Sequence, residues 1–128
     1  MICLDTQAWI WWVTGLRALP MNVRRVMESD QVVISSVSLW ETAQLVGEGR
    51  IRLNREVREF LDEASMWEGL TVAPISPAIA VRASRFGPLF PKDPMDRLIT
   101  ATALELGVSL VTSDAAITES GVVPILWD

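Results

Sequence analysis

Short apolar runs recur along this chain of 128 residues, and each but the last is followed by a stretch with helical spacing. That alternation constrains the fold more than any other feature. Strands separated by helices cannot pair as hairpins, so they must lie parallel, with the connecting helices covering both faces of the sheet. The strand-like runs are Ile2–Leu4, Val32–Ser35, Leu70–Ile75, Ser109–Thr112 and Val122–Leu126. The helical stretches between them are Gln7–Thr14, Pro20–Ser29, Ser38–Val46, Asn54–Trp67, Pro77–Phe86 and Asp93–Leu106, with a brief helical turn after Asp114. The expected architecture is α/β, a three-layer α/β/α sandwich on a mostly parallel central sheet. No repeat, low-complexity tract or linker interrupts the chain, so residues 1–128 are expected to form a single domain.

In such sheets, ligands bind outside the carboxyl ends of the strands. Two acids fall at that place: Asp5 directly after the first run and Asp114 after the fourth. The stretch KDPMDRLITATA, Lys92 to Ala103, adds a third. Asp93 suits a helix N-cap and Pro94 the first helical position, which puts Asp96 in the first turn near the positive end of the helix dipole. Glu41 is the fourth. Its position in Ser38-Leu39-Trp40-Glu41 also matches a capping box, in which it reaches back to the Ser38 N–H. Four carboxylates at one rim of the sheet repel one another unless a cation lies between them. Hard divalent ions such as Mg2+ or Mn2+ turn that repulsion into a binding site suited to phosphodiester hydrolysis.

Composition narrows the chemistry. Histidine is absent and there is one cysteine, Cys3, which excludes Ser-His-Asp and Cys-His mechanisms and any zinc site built on imidazole or thiolate. Cys3 sits in an apolar run and reads as a small buried hydrophobe. Net charge is −5, which argues against a generic nucleic-acid binder but not against a nuclease whose metals supply the local positive charge. The apolar runs are broken too often by charges to span a membrane, and no basic segment precedes an apolar one at the amino end. With no disulfide possible within the chain, a reducing, cytoplasmic setting is expected.

Two further clusters stand out. Arg50, Arg52, Arg55 and Arg58 form a basic patch whose second half falls on the Asn54–Trp67 helix. It is either a solvated face or a contact for phosphate or an acidic partner. Trp9, Trp11, Trp12 and Trp40 lie on the first and third helices. Trp9 and Trp12 share a face and read as core. Trp11 points the other way, as an anchor for a partner helix or a second subunit would.

Taken together, LDT at Leu4–Thr6, SLWE at Ser38–Glu41, DPMDRLITATA at Asp93–Ala103 and LVTSD at Leu110–Asp114 resemble the PIN-domain ribonucleases. Within that group the resemblance is to the VapC-like toxins of toxin–antitoxin pairs, and it covers essentially the whole chain. It implies that Asp5, Glu41, Asp96 and Asp114 hold Mg2+ or Mn2+, that water so activated cleaves RNA, and that no protein nucleophile takes part. It also implies that Thr112 or Ser113 supports the last acid by hydrogen bonding. A homodimer and a cognate antitoxin partner, whose tail covers the site, are implied as well. Asp93 is kept as a cap. Arg97, next to Asp96, is placed either on a substrate phosphate or in an ion pair with Glu105 or another surface acid. Part of the subgroup carries a histidine ahead of the DP-x-DR loop, where this chain has Phe90-Pro91-Lys92.

The rival readings are a non-catalytic binding module on the same fold and a DNA nuclease. A receiver-type phosphoryl-transfer domain fits poorly, because only Asp5 lies near the first strand and Lys92 precedes a helix.

Overall fold

β1 (Ile2–Leu4) is the strand on which the sheet is built: it pairs in parallel with β2 (Val32–Ser35) on one side and with β4 (Ser109–Val111) on the other. β3 (Leu70–Ala73) adds a fourth parallel strand beyond β2, giving the order β3-β2-β1-β4. The computed structural model describes all of residues 1–128. Seven helices cover the sheet: α1 (Thr6–Thr14), α2 (Met21–Ser29), α3 (Val37–Gly47), α4 (Val57–Ala64), α5 (Pro77–Ser84), α6 (Pro94–Leu106) and α7 (Ala115–Ser120).

Alternation along the strands sorts the core into two faces. Ile2, Leu4, Val32, Ile34 and Val111 pack with Trp9, Ile10 and Val23 on one side. Cys3, Val33 and Leu110 pack with Ile99, Ala103, Phe90 and Ile117 on the other. Both faces are therefore closed, which is the three-layer sandwich expected. Small residues let α6 lie close: Ala101 and Ala103 are fully buried. Cys3 is wholly buried, and burial first, then the charge of Asp5, pushes its thiol up to about 12.

Several boundaries differ from the expectation. The run Val122–Leu126 does not form a fifth strand. It touches the sheet at a single parallel bridge, Leu110 to Ile125, because Pro124 removes a donor that a ladder would need. The fourth helix is much shorter than Asn54–Trp67. It starts after Glu56, whose carboxylate caps the Glu59 N–H, and ends at Ala64, so of the arginine patch only Arg58 is helical. The capping box at Ser38 does not form. Helix α3 begins one residue earlier, at Val37, and the Ser38 side chain is buried against Thr6 instead. Trp9 is core as expected, with no exposed surface, and Trp12 is half-buried with its ring edge-on to Trp67 at 5.2 Å. Trp11 is not a bare anchor. It leans on Trp127 at 6.0 Å, and Arg17 lies 4.5 Å over its ring. Trp40 is the most exposed tryptophan, at 59%, with Trp67 next at 40%.

Candidate functional site at the carboxyl edge of the sheet

The strand order reverses at β1: the chain runs outward through β2 and β3, then returns to place β4 on the other side. A crevice opens at such a switch point, at the carboxyl ends of the strands. Asp5 leaves the end of β1, and its N–H bonds the Val111 carbonyl at 3.0 Å, so the first strand delivers it to the crevice wall. Asp114 follows the end of β4 by three residues. α6 runs into β4 and packs back against it, which puts its first turn, with Asp96, at the same edge. α3 follows β2 and carries Glu41.

Asp5, Glu41, Asp96 and Asp114 line one cleft of about 170 Å³, together with Thr6, Gln7, Ile99 and Ser113. Residues separated by more than a hundred positions thus share one wall, as the spacing of the acids suggested. Larger grooves lie elsewhere: one of about 680 Å³ runs along α5, and one of about 410 Å³ is lined by Glu28, Asp30 and Glu68, of which Asp30 is paired with the amino terminus.

Local chemistry fixes the state of each carboxylate. One oxygen of Asp5 accepts the Ala8 N–H at 2.8 Å and caps α1. One oxygen of Asp114 accepts the Ile117 N–H at 3.0 Å and caps α7. Each such cap is worth about 1 kcal/mol and leaves the second oxygen free of main-chain partners. Glu41 accepts a short hydrogen bond from the Thr6 hydroxyl, which also lies 2.9 Å from the Ser38 hydroxyl. Asp96 accepts no hydrogen bond from the chain and lines the cleft.

No cation of the chain neutralises this group. The ion pairs are Met1 with Asp30, Arg50 with Glu48, Arg55 with Glu63, Arg58 with Asp62 and Arg82 with Glu105, all away from the rim. The acids therefore resist ionisation. Burial, then the charges of Asp93, Asp114, Glu41 and Asp5, pushes Asp96 up to about 7. Burial raises Asp5 to about 6, with Glu41 and Asp114 adding to it, while the Thr112 hydroxyl and the Ala8 N–H hold it back. Glu41 is raised by burial and by Asp93, against the pull of Thr6.

An all-oxygen donor set with surplus negative charge and no imidazole or thiolate fits a hard divalent cation. No three of the acids stand as a ready-made cage for one ion. Asp5, Asp96 and Asp114 each keep an oxygen without a main-chain partner, and these are the groups that could close on a cation.

Arg97 makes no ion pair with Glu105 or another acid. Its guanidinium donates to the carbonyls of Pro91 at 2.9 Å, Phe86 at 3.0 Å, Phe90 at 3.3 Å and Gly87 at 3.5 Å. Its donors are thus engaged by the loop ahead of α6. Glu105 pairs with Arg82 at 2.8 Å instead. Thr112 is buried, and its hydroxyl accepts the Asp114 N–H at 3.1 Å, while Ser113 lies on the cleft wall. Asp93 caps α6 through the Met95 N–H at 2.9 Å, as expected. Its charge also acts on Asp96 and Glu41, a role the cap assignment left out. The Thr6 and Ser38 hydroxyls were missed altogether. The signal for Thr6 was its place in LDT beside Asp5, while nothing in the spacing of Ser38 told a capping serine from a buried one.

Comparison with known proteins shows the family and the fold. The profile of the PIN domain matches residues 2–121. Ribonuclease VapC22 of Mycobacterium tuberculosis is 34% identical over 114 residues, covering 88% of this chain and 86% of that protein. The crystal structure of VapC20 from Mycobacterium tuberculosis, a toxin that cleaves the sarcin-ricin loop, superposes with a TM-score of 0.71 over 94% of this chain and 95% of its own, at 16% identity. VapBC2 of Rickettsia felis, solved bound to a DNA fragment from its promoter, covers 100% of both chains with a TM-score of 0.67 at 17% identity.

Proposed function

We propose, since the chain belongs to the PIN-domain family and within it to the VapC-like ribonuclease toxins, that it hydrolyses RNA phosphodiesters with Mg2+ or Mn2+ held by Asp5, Glu41, Asp96 and Asp114. The observation that carries this is the uncompensated cleft: four carboxylates on one wall with no arginine or lysine among its lining residues.

When bound, a hard divalent ion supplies Lewis-acid activation of water and neutralises charge building on the phosphate. The chain's own residues do the rest by placement. Asp96 offers two unengaged oxygens at the positive end of α6. Asp5 and Asp114 are fixed by their caps, so their remaining oxygens keep a set direction. Thr6 orients Glu41 from below, and Thr112 holds the backbone of Asp114. The side chains lining the cleft include no cation to receive a phosphate, so attraction of the RNA backbone falls to the bound ion. Its partners in this reading are an RNA substrate, a second copy in a homodimer, and an antitoxin protein, the last because a structural neighbour from Klebsiella pneumoniae is a toxin–antitoxin complex. No helix is long and apolar enough to cross a membrane.

The test is cleavage of a structured RNA with added Mn2+, an EDTA control, and the Asp96→Asn variant. The reading requires cleavage by the wild type with Mn2+ and none in EDTA or by the variant. Equal cleavage by the variant and the wild type would overturn it.

A further inference from the structure

The loop between α5 and α6 is held by one side chain. Arg97 gathers four main-chain carbonyls, those of Phe86, Gly87, Phe90 and Pro91, on a single guanidinium. An arginine fork carries five N–H donors in a fixed plane, so this use leaves little of it for any other ligand. No carboxylate pairs with it. Its charge also lies 5.7 Å from the ring of Phe90, and Phe90 is 3% exposed, stacked on Phe86 at 4.5 Å and seated in the core face beneath α6. The backbone N–H of Arg97 donates to the Asp93 carbonyl at 3.2 Å, in the first turn of the same helix. The residue before Arg97 is Asp96, the carboxylate with no hydrogen bond of its own.

These contacts form one mechanical chain from the core through Phe90 and the loop to Arg97, and from there to the turn that carries Asp96. Every other acid at the rim has a local restraint: a helix cap for Asp5 and Asp114, and a hydroxyl for Glu41. Asp96 has none, so its position depends on how firmly the first turn of α6 is held. Resting on the metal-dependent reading above, we infer that Arg97 is a positioning residue: by tying the Phe86–Pro91 loop to α6 it sets where Asp96 meets the divalent ion, and it does not bind the substrate phosphate. Removing it frees four carbonyls at the loop and lets the amino end of α6 fray, although Asp93 still caps it.

The test compares Arg97→Gln and Arg97→Lys with the wild type and with Asp96→Asn. Mn2+ binding is read directly, by electron paramagnetic resonance of free Mn2+ or by calorimetry, below the melting temperature of each variant. Removal of a group that orients a metal ligand typically weakens metal affinity by roughly 10–100-fold, and that loss is expected for both arginine variants. A lysine does not rescue, because one ammonium cannot address four carbonyls spread around a planar fork. At saturating Mn2+ the KM for RNA stays near that of the wild type. Amide exchange in residues 86–91 speeds up in the same variants. Two results overturn the inference. One is unchanged Mn2+ affinity with a raised KM, which marks a phosphate contact. The other is unchanged Mn2+ affinity with only a lowered melting temperature, which marks a purely structural residue. Asp96→Asn separates the two levels. If it too keeps full Mn2+ binding, the metal site itself is misplaced; if it loses binding while the arginine variants keep it, only the role of Arg97 fails.

Discussion

Two clusters of like charge are legible in this chain, and the fold treats them in opposite ways. The four arginines from Arg50 to Arg58 are largely answered by acids close in sequence: Glu63 stands 2.6 Å from Arg55, Asp62 3.0 Å from Arg58 and Glu48 4.0 Å from Arg50. The four acids at the carboxyl edge come from distant parts of the chain and meet no cation. The arginine patch is a solvated face, where three of the four charges have an acid close by and all have water to screen them. The acid rim is partly buried and unanswered, which destabilises the fold unless something outside the chain answers it. A charge cluster thus points to a ligand when its neutralising partner is missing from the chain, not when its charges are merely numerous.

The comparison breaks most easily at the acids. Asp5→Asn and Asp96→Asn each remove one negative charge and keep the shape, and the amide oxygen at position 5 can still cap α1 through the Ala8 N–H. The several kcal/mol that a metal contributes to phosphodiester hydrolysis correspond to a loss of about 10³-fold in kcat at about 1.4 kcal/mol per decade. Cleavage assays with Mn2+, alongside circular dichroism to verify the fold, check it. Wild-type rates in either variant would place the acid rim in the same class as the arginine patch.

Stability against pH sharpens the same contrast. Asp5 has its folded pKa raised from 3.8 to about 6, and Asp96 to about 7. Between those values and the unfolded ones the native state holds more protons than the unfolded state, so stability must fall as pH rises. Without metal the contribution is fully present below about pH 4 and is lost through pH 6 to 7. For the deeply buried Asp5 the loss is at most roughly 3 kcal/mol. Asp96 is more exposed and acts in the same direction with a smaller effect. Urea melts from pH 4 to 8 should show the decline in the wild type, a shallower one in Asp5→Asn, and its removal by added Mn2+, which binds only the folded state. A wild type whose stability rises over that range would mean that burial and the neighbouring charges do not hold these acids above their ordinary values.

Much of this was readable from pattern. The strand–helix alternation gave the parallel sheet, because a run such as Val32–Ser35 buried on both faces cannot be a hairpin arm. The acids were readable because each followed a strand or opened a helix. What the sequence hid was decided by tertiary contact. Ser38 looked like a cap from its spacing, but packing against Thr6 claimed its hydroxyl. Arg97 looked like a free cation beside Asp96, but four carbonyls of a proline-bounded loop, which no periodicity reveals, claimed its donors. The Val122–Leu126 run had strand composition, but Pro124 kept it to one bridge. Thr6→Val tests the hydroxyl contacts that spacing did not reveal. It removes the donor to Glu41 while keeping the buried volume, and roughly a tenfold fall in cleavage is expected, the lower end for a group that orients a ligand. A fall no larger than assay error would mean that Glu41 needs no orientation.

The arginine patch supplies the smallest effect, and the one most able to undo the contrast. Arg58 and Asp62 are both well exposed and lie one helical turn apart on α4, so Arg58→Ala removes a pair of the kind worth about 0.3–0.5 kcal/mol. The melting temperature should move by about a degree or two, and cleavage of RNA should stay within about twofold of the wild type, since an exposed charge already answered by its neighbour adds little to attraction at a distance. The measurement that counts is the salt dependence of RNA binding. If Arg58 touched the phosphate backbone, its removal would lower the slope of log affinity against log salt by nearly one. An unchanged slope leaves the patch as solvated surface. A lowered slope would show that a cluster neutralised within the chain can still give up its partners to a polyanion, and the rule drawn from the acid rim would then hold only for buried charge.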